Sequence, residues 1–166
     1  MIEKNSTEDN VNSYIKEIKK DFFRYRNGII VDSIKQLYPP GKKIFGLIVP
    51  QFIEIAKKYP KDLSLGLKLW EDKNTRESRL LSLYILPPRQ ISKEKALEMI
   101  FDVDSSEEAE FLAFRILRNL PYARELMSDL RSLNLPNDTA EFCLLMFERN
   151  MAIQNIDLSA QDISHS

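Results

Sequence analysis

Cysteine and histidine are almost absent from this chain. Its 166 residues include one cysteine, Cys143, and one histidine, His165. A single cysteine excludes a disulfide framework and a metal site built from several thiolates. A single histidine argues against most histidine-based catalysis and against His-rich metal binding. We therefore expect neither a metal nor a cofactor.

Glycine, long apolar runs and net charge are also low. Four Gly and eight Pro exclude collagen-like and Gly/Pro-rich low-complexity chains. The apolar runs are too short for a membrane span, and the polar residues 1–10 lack the apolar core of a signal peptide. Twenty-four bases against 25 acids give a net charge of −1, so no overall field draws the chain to nucleic acid or membrane. We expect a cytoplasmic protein with no membrane partner.

The feature that is present is helical periodicity. Residues 89–120 and 137–166 contain neither Gly nor Pro, which permits uninterrupted helices. The one strand-like run, Ile44–Val49, is interpreted as a packed loop entering a helix at Pro50. The sequence predicts an all-α domain of about nine helices over 9–155, with disordered tails at 1–8 and 156–166. The predicted helices cover about 9–25, 28–38, 50–58, 62–71 and 75–86, then begin after Ser92, near Asp104, at Pro121 and after 136–138, the last ending near Asn155.

A shift of 31 residues aligns the apolar pattern with itself. It places Trp70 on Phe101, Leu81 on Leu112, and Leu112 on Cys143. Helices that recur at this spacing are typical of an α-solenoid, in which each helical pair buries its apolar face on the next. The alternative is a helical bundle whose spacing produces chance matches.

Three segments resemble a known family. The run Phe45-Gly46-Leu47-Ile48-Val49-Pro50-Gln51-Phe52-Ile53-Glu54-Ile55-Ala56-Lys57 is similar to the Phe/Tyr-Gly-x-x-Val-Pro-x-Leu-x-x-Ile-Ala-Lys signature of the DNA alkylation-repair proteins of the AlkD type. Leu65–Trp70 is similar to that family's Leu-Ala-Leu-Glu-Leu-Trp, and Glu77–Leu81 to its Glu-Ala-Arg-Leu-Leu. The resemblance implies a right-handed α-α superhelix of HEAT-like repeats that holds double-stranded DNA on its concave face.

The same resemblance implies a chemistry, the excision of positively charged alkylated purines. The family uses a catalytic Asp one helical turn after a Trp, and a carboxylate near the sugar stabilises the positive charge that develops as the glycosidic bond breaks. Carried over, this motif falls on Ser106–Glu110, with Glu110 in place of the Asp and Ser106 in place of the Trp. A further Arg of the family meets Asn137–Glu141, and its terminal repeats have no counterpart in this sequence. We therefore expect incomplete excision machinery.

Phosphate binding requires Lys and Arg, because affinity for DNA comes largely from neutralising phosphates. Acids dominate residues 102–110, which hold five acids and no base. In a stacked repeat Arg79 would lie beside Glu110, so an ion pair is an alternative to catalysis for that acid. The candidate DNA contacts are Lys42, Lys43, Arg76, Arg79, Arg115 and Arg118, and the alternative for these bases is a solvated surface.

Three functions follow from these observations. The first is a divergent DNA alkylation-repair-like module that binds DNA weakly and without sequence preference, and lacks full glycosylase activity. The second is a protein-interaction scaffold with a partner in its concave groove. The third is an active alkylpurine DNA glycosylase that uses Glu110. Trp70 and Cys143 are interpreted as core residues, and the aromatics of the first helix (Tyr14, Phe22, Phe23 and Tyr25) as packing residues rather than nucleic-acid contacts.

Overall fold

A computed structural model describes residues 7–164, and this part of the chain is all-helical. Three short 3₁₀ turns (Lys35–Leu37, Pro88–Gln90 and Leu117–Asn119) connect longer helices, and Lys43 and Thr75 form an isolated β-bridge. The predicted all-α class is confirmed. The α-helices within 7–164 are α1 Glu8–Tyr25, α2 Gly28–Ile34, α3 Val49–Ala56, α4 Leu63–Glu71, α5 Arg76–Ile85, α6 Lys93–Phe101, α7 Ser106–Arg115, α8 Ala123–Arg131 and α9 Asp138–Ser164.

The helix ends follow local chemistry, and several differ from the prediction. Helix α2 ends at Ile34 rather than near 38, and α8 begins at Ala123 rather than at Pro121. Ser92 caps α6 as expected, since its side chain accepts a hydrogen bond from the Lys95 amide. The cap of α7 is Ser105 rather than Asp104, because the Ser105 hydroxyl accepts from the Glu108 amide at 3.1 Å. Helix α9 continues to Ser164, past Asn155, since no Gly or Pro interrupts it. Of the disordered tails predicted at 1–8 and 156–166, residues 1–6 and 165–166 lie outside the described residues, whereas Glu8 and the residues up to Ser164 belong to α1 and α9.

The chain divides into two compact units, Met1–Ile91 and Ser92–Ser166. In the first unit α4 and α5 form an antiparallel hairpin, in which the Asp62 amide donates to the Ile85 carbonyl at 3.1 Å. Helix α3 packs on α5, where the Phe52 and Tyr84 rings stack 5.8 Å apart. Helix α1 packs against both α3 and α4. The buried apolar side chains of this unit include Ile18, Phe22, Leu47, Ile55, Leu65, Leu69, Leu80 and Leu81.

In the second unit α7 and α9 lie side by side. The Cys143 thiol lies 3.8 Å from the Ala109 carbonyl. Arg118, in the 3₁₀ turn that follows α7, lines the same cavity as Met151, which lies further along α9, so the two helices run in the same direction. Helix α8 is antiparallel to α9, since Arg131 contacts Glu148 and Arg124 contacts Asn155. The 31-residue shift, which places Leu112 on Cys143, thus aligns two helices that are neighbours in the structure.

Each unit thus contains a pair of helices packed side by side, α4 with α5 and α7 with α9, as helical repeats do. An α-α superhelix spanning 9–155 as one domain stays a prediction. Among residues 7–164, no helix has the length and hydrophobicity that crossing a membrane requires.

Candidate functional site

The loop of residues 44–48 is held by one buried carboxylate, that of Glu77 at the start of α5. Its Oε2 accepts from the Phe45 amide at 3.0 Å, and its Oε1 accepts from the amides of Gly46 and Leu47 at 2.9 and 3.4 Å. Arg76 donates to the same carboxylate at 2.7 Å and to the Leu47 carbonyl at 3.0 Å. Glu77 is fully buried, so these charge-assisted bonds are strong and costly to remove.

Gly46 is required at the centre of this loop. Its φ of +85° is the left-handed conformation that glycine adopts without penalty. A Cβ at this position would stand 2.5 Å from the Asn27 carbonyl oxygen. Val49 and Pro50 then open α3, and the Gln51 side chain accepts from the Ile48 amide at 3.0 Å. The residues that carry the family resemblance therefore hold this loop and begin helix α3.

Two predicted DNA contacts, Arg76 and Arg79, lie in the interior. Arg79 is fully buried, donates to the Trp70 carbonyl at 2.8 Å, and places its guanidinium 3.5 Å from the centre of the Trp70 ring. Arg76 is 5% exposed and is engaged by Glu77 and Leu47 as described above. Both guanidiniums are bonded within the protein and buried, so neither arginine belongs to the surface that could contact DNA. Trp70 is buried, as its interpretation as a core residue requires.

The other two predicted contacts of the first unit, Lys42 and Lys43, lie next to the anchored loop. The Lys43 amide donates to the Asn74 carbonyl at 2.7 Å, and its carbonyl accepts from the Arg76 amide at 2.9 Å. Its backbone is thus fixed on both sides, while the residue as a whole is exposed. Lys42 is half-buried and its ammonium lies 5.8 Å from the centre of the Tyr38 ring.

A cavity of about 360 Å³ opens beside Lys43. One side is formed by Lys19 and Phe23 of α1, and the other by Lys43, Ile44, Phe45 and Thr75. Phe22 is buried as predicted, but Phe23 is 60% exposed, so its packing against Phe45 covers only part of its ring. The signal for this site was present in the first helix, where Lys19 and Phe23 are four residues apart and so share one side.

The remaining candidates, Glu110, Arg115 and Arg118, belong to the second unit. Glu110 is exposed on α7, and Arg115 is half-buried in the last turn of that helix. The Arg118 guanidinium lies 3.8 Å from the centre of the Phe114 ring, which is itself 46% exposed. An aromatic side chain therefore stands one turn after Glu110, whereas the resemblance places it one turn before.

Cys143 is the one thiol in this unit, and it is buried. Burial raises the pKa of the Cys143 thiol to about 12, so it is protonated at neutral pH and is a poor nucleophile. This agrees with its interpretation as a buried hydrophobe. Across residues 7–164, no group of three His, Cys, Asp or Glu side chains is placed to hold a metal ion.

The two units differ sharply in charge. Residues 1–91 contain 17 Lys and Arg against 11 Asp and Glu, a net charge of +6. Residues 92–166 contain 7 Lys and Arg against 14 Asp and Glu, a net charge of −7. The overall value of −1 conceals this separation, because the two halves almost cancel.

No family model, no curated protein and no solved structure matches this chain. A functional assignment therefore rests on the geometry and the charges described above.

Proposed function

We propose that this protein is a DNA-binding module related to the HEAT-repeat alkylation-repair proteins, and that it lacks full glycosylase activity. The observation that carries the proposal is the net charge of +6 on residues 1–91. A basic surface attracts the phosphate backbone whatever the base sequence, and neutralised phosphates release their counterions. Binding is then weak, insensitive to sequence and strongly dependent on salt.

Within this unit Lys42 and Lys43 are the favoured phosphate contacts. Lys43 is exposed on a backbone that is fixed at both of its polar groups, so no further backbone freedom is lost when its ammonium meets a phosphate. Arg115 and Arg118 are weaker candidates, because acids outnumber bases by 14 to 7 in their unit. Glu110 lies in the same acidic unit, where a nearby DNA backbone would be repelled.

The experiment is a salt titration of binding to a fluorescently labelled DNA duplex, followed by anisotropy. Neutralising about three phosphates gives a log–log slope near −3. Lys43→Gln should make that slope shallower by roughly one, and Lys43→Arg should restore it. The matched control is Lys95→Gln, which makes the same chemical change in the acidic unit. Unchanged binding in high salt, or an equal effect of Lys95→Gln, would contradict the proposal.

A second candidate function, a protein-interaction scaffold, is favoured by exposed apolar side chains in the acidic unit. Phe114, Leu145 and Ile153 are 46%, 49% and 55% exposed. Apolar groups within a unit of net charge −7 are complementary to a basic amphipathic helix rather than to DNA. A designed helical peptide with Leu along one face and Lys along the opposite face should bind, and Phe114→Ser should weaken its binding. No binding of that peptide would remove this candidate.

A further inference from the structure

We propose that the cavity between α1 and the anchored loop receives a single unpaired nucleobase, with the adjoining phosphate on Lys19 and Lys43. This inference deepens the proposed function and rests on it. It makes single-stranded nucleic acid the preferred ligand over a fully paired duplex. Three observations carry it, namely the size of the cavity, its aromatic wall and its cationic rim.

The size fits one nucleotide. At about 360 Å³ the cavity lies near the lower end of the range for small-molecule sites, roughly 300–1,000 Å³. A paired base in a duplex cannot enter a cavity that holds one nucleotide, because it is stacked between neighbouring base pairs and bonded to its partner. A base that is already unpaired enters without that cost.

The aromatic wall is preformed. Phe23 is 60% exposed, and an apolar ring with that much contact with water is available to a ligand. Its orientation is set by Phe45, since the two rings meet edge to face with centroids 4.9 Å apart at 75°. Phe45 also contacts the buried Phe22 and donates its amide to Glu77. Stacking of bases on such rings is tolerant of sequence, because every base has a π-face.

The cationic rim selects an anion. Lys19 and Lys43 both line the cavity, and the Lys19 ammonium lies 3.6 Å from Asp72 Oδ2 with half of its side chain exposed. Asp72 also accepts from the Ser78 hydroxyl at 2.8 Å. An acidic, aromatic peptide offers similar groups, but the net charge of +6 over the whole unit favours a polyanion with regularly spaced phosphates.

The experiment compares a labelled oligothymidine with a blunt duplex of equal length at one fixed salt concentration. The full chain should bind the single strand more tightly than the duplex. Phe23→Leu removes the ring but keeps an apolar side chain, and should weaken single-strand binding roughly ten-fold while leaving duplex binding unchanged. Phe114→Leu is the matched control, because it removes an exposed ring from the acidic unit. Circular dichroism melts confirm that each variant is folded.

The outcomes separate this inference from the proposed function. Equal binding of both DNAs, with no effect of Phe23→Leu, would overturn the base pocket and leave phosphate binding intact. No binding of either DNA would overturn both. Free deoxyadenosine monophosphate is a further arm: if it binds at this site as tightly as the oligothymidine does, the site is for a free nucleotide and the inference is wrong. Displacement of the oligothymidine by an acidic tyrosine-containing peptide that binds more tightly would assign the cavity to a protein partner instead.

Discussion

Replacing Glu77 by glutamine tests whether one buried carboxylate holds the loop of residues 44–48. The substitution keeps the shape of the side chain and turns one of its two acceptor oxygens into a donor. Three backbone amides and the Arg76 guanidinium depend on those oxygens. Removing one partner of a buried ion pair costs about 3–5 kcal/mol, because the other charge stays buried without compensation. We expect the free energy of unfolding of the first unit to fall by that amount.

The assay is urea denaturation followed by tryptophan fluorescence. The chain has one tryptophan, and Trp70 is buried in the first unit, so its emission reports on the packing of that unit. The control is Glu54→Gln, since Glu54 is exposed and pairs with Lys57 at 3.3 Å. A surface pair of this kind contributes only about 0–1 kcal/mol.

A loss of less than about 1 kcal/mol for Glu77→Gln would refute the reasoning, because a buried carboxylate with four donors cannot be replaced so cheaply. A double-mutant cycle gives a second check. The effects of Arg76→Gln and Glu77→Gln should not add, since each variant already breaks the same pair. Additive effects would mean that the two side chains act independently.

The remaining predictions concern three other positions. Gly46→Ala should destabilise the protein by about 1–3 kcal/mol more than Gly41→Ala in thermal melts, because both glycines have positive φ but only the Cβ at 46 would meet a backbone oxygen. Equal losses would contradict the close approach. Cys143 should resist thiol reagents in the folded protein and react in urea, since burial raises its pKa from 9.0 to about 12. The unfolded chain releases this proton first as pH rises, so stability should fall from about pH 9 towards pH 12, and a constant stability over that range would contradict the shift. Alkylated DNA should show no measurable release of 3-methyladenine or 7-methylguanine, and release that disappears in Glu110→Gln would make Glu110 catalytic.

The helical class and most helix starts could be predicted from the sequence, because they depend on local patterns. Prolines, capping side chains and a 3.6-residue period act within a few residues of each other. The start of α7 was placed one residue early because Asp104 and Ser105 are both good caps. In the structure the Ser105 side chain caps the helix. The buried Glu108 carboxylate accepts a hydrogen bond from the Asp104 amide at 3.3 Å.

The candidate site was only partly predictable, because its geometry depends on long-range contacts. Charge alone suggests that Arg79 is a surface residue, and only the position of Trp70 shows that a buried guanidinium is accommodated there. Phe22 and Phe23 are adjacent, and a helix turns about 100° per residue, so one ring is buried while the next is exposed. Lys43 meets Phe23 at the cavity because a loop, rather than a helix, brings it there.

The anchoring of residues 44–48 by a side chain has a consequence for how this segment opens. A strand or helix end frays one hydrogen bond at a time, since each amide has its own partner. Here the amides of Phe45, Gly46 and Leu47 share a single carboxylate, so withdrawal of that group exposes all three together. Their hydrogen exchange should therefore be correlated and should follow the first turn of α5, which makes this loop a single cooperative unit with a helix that lies thirty residues away in the chain.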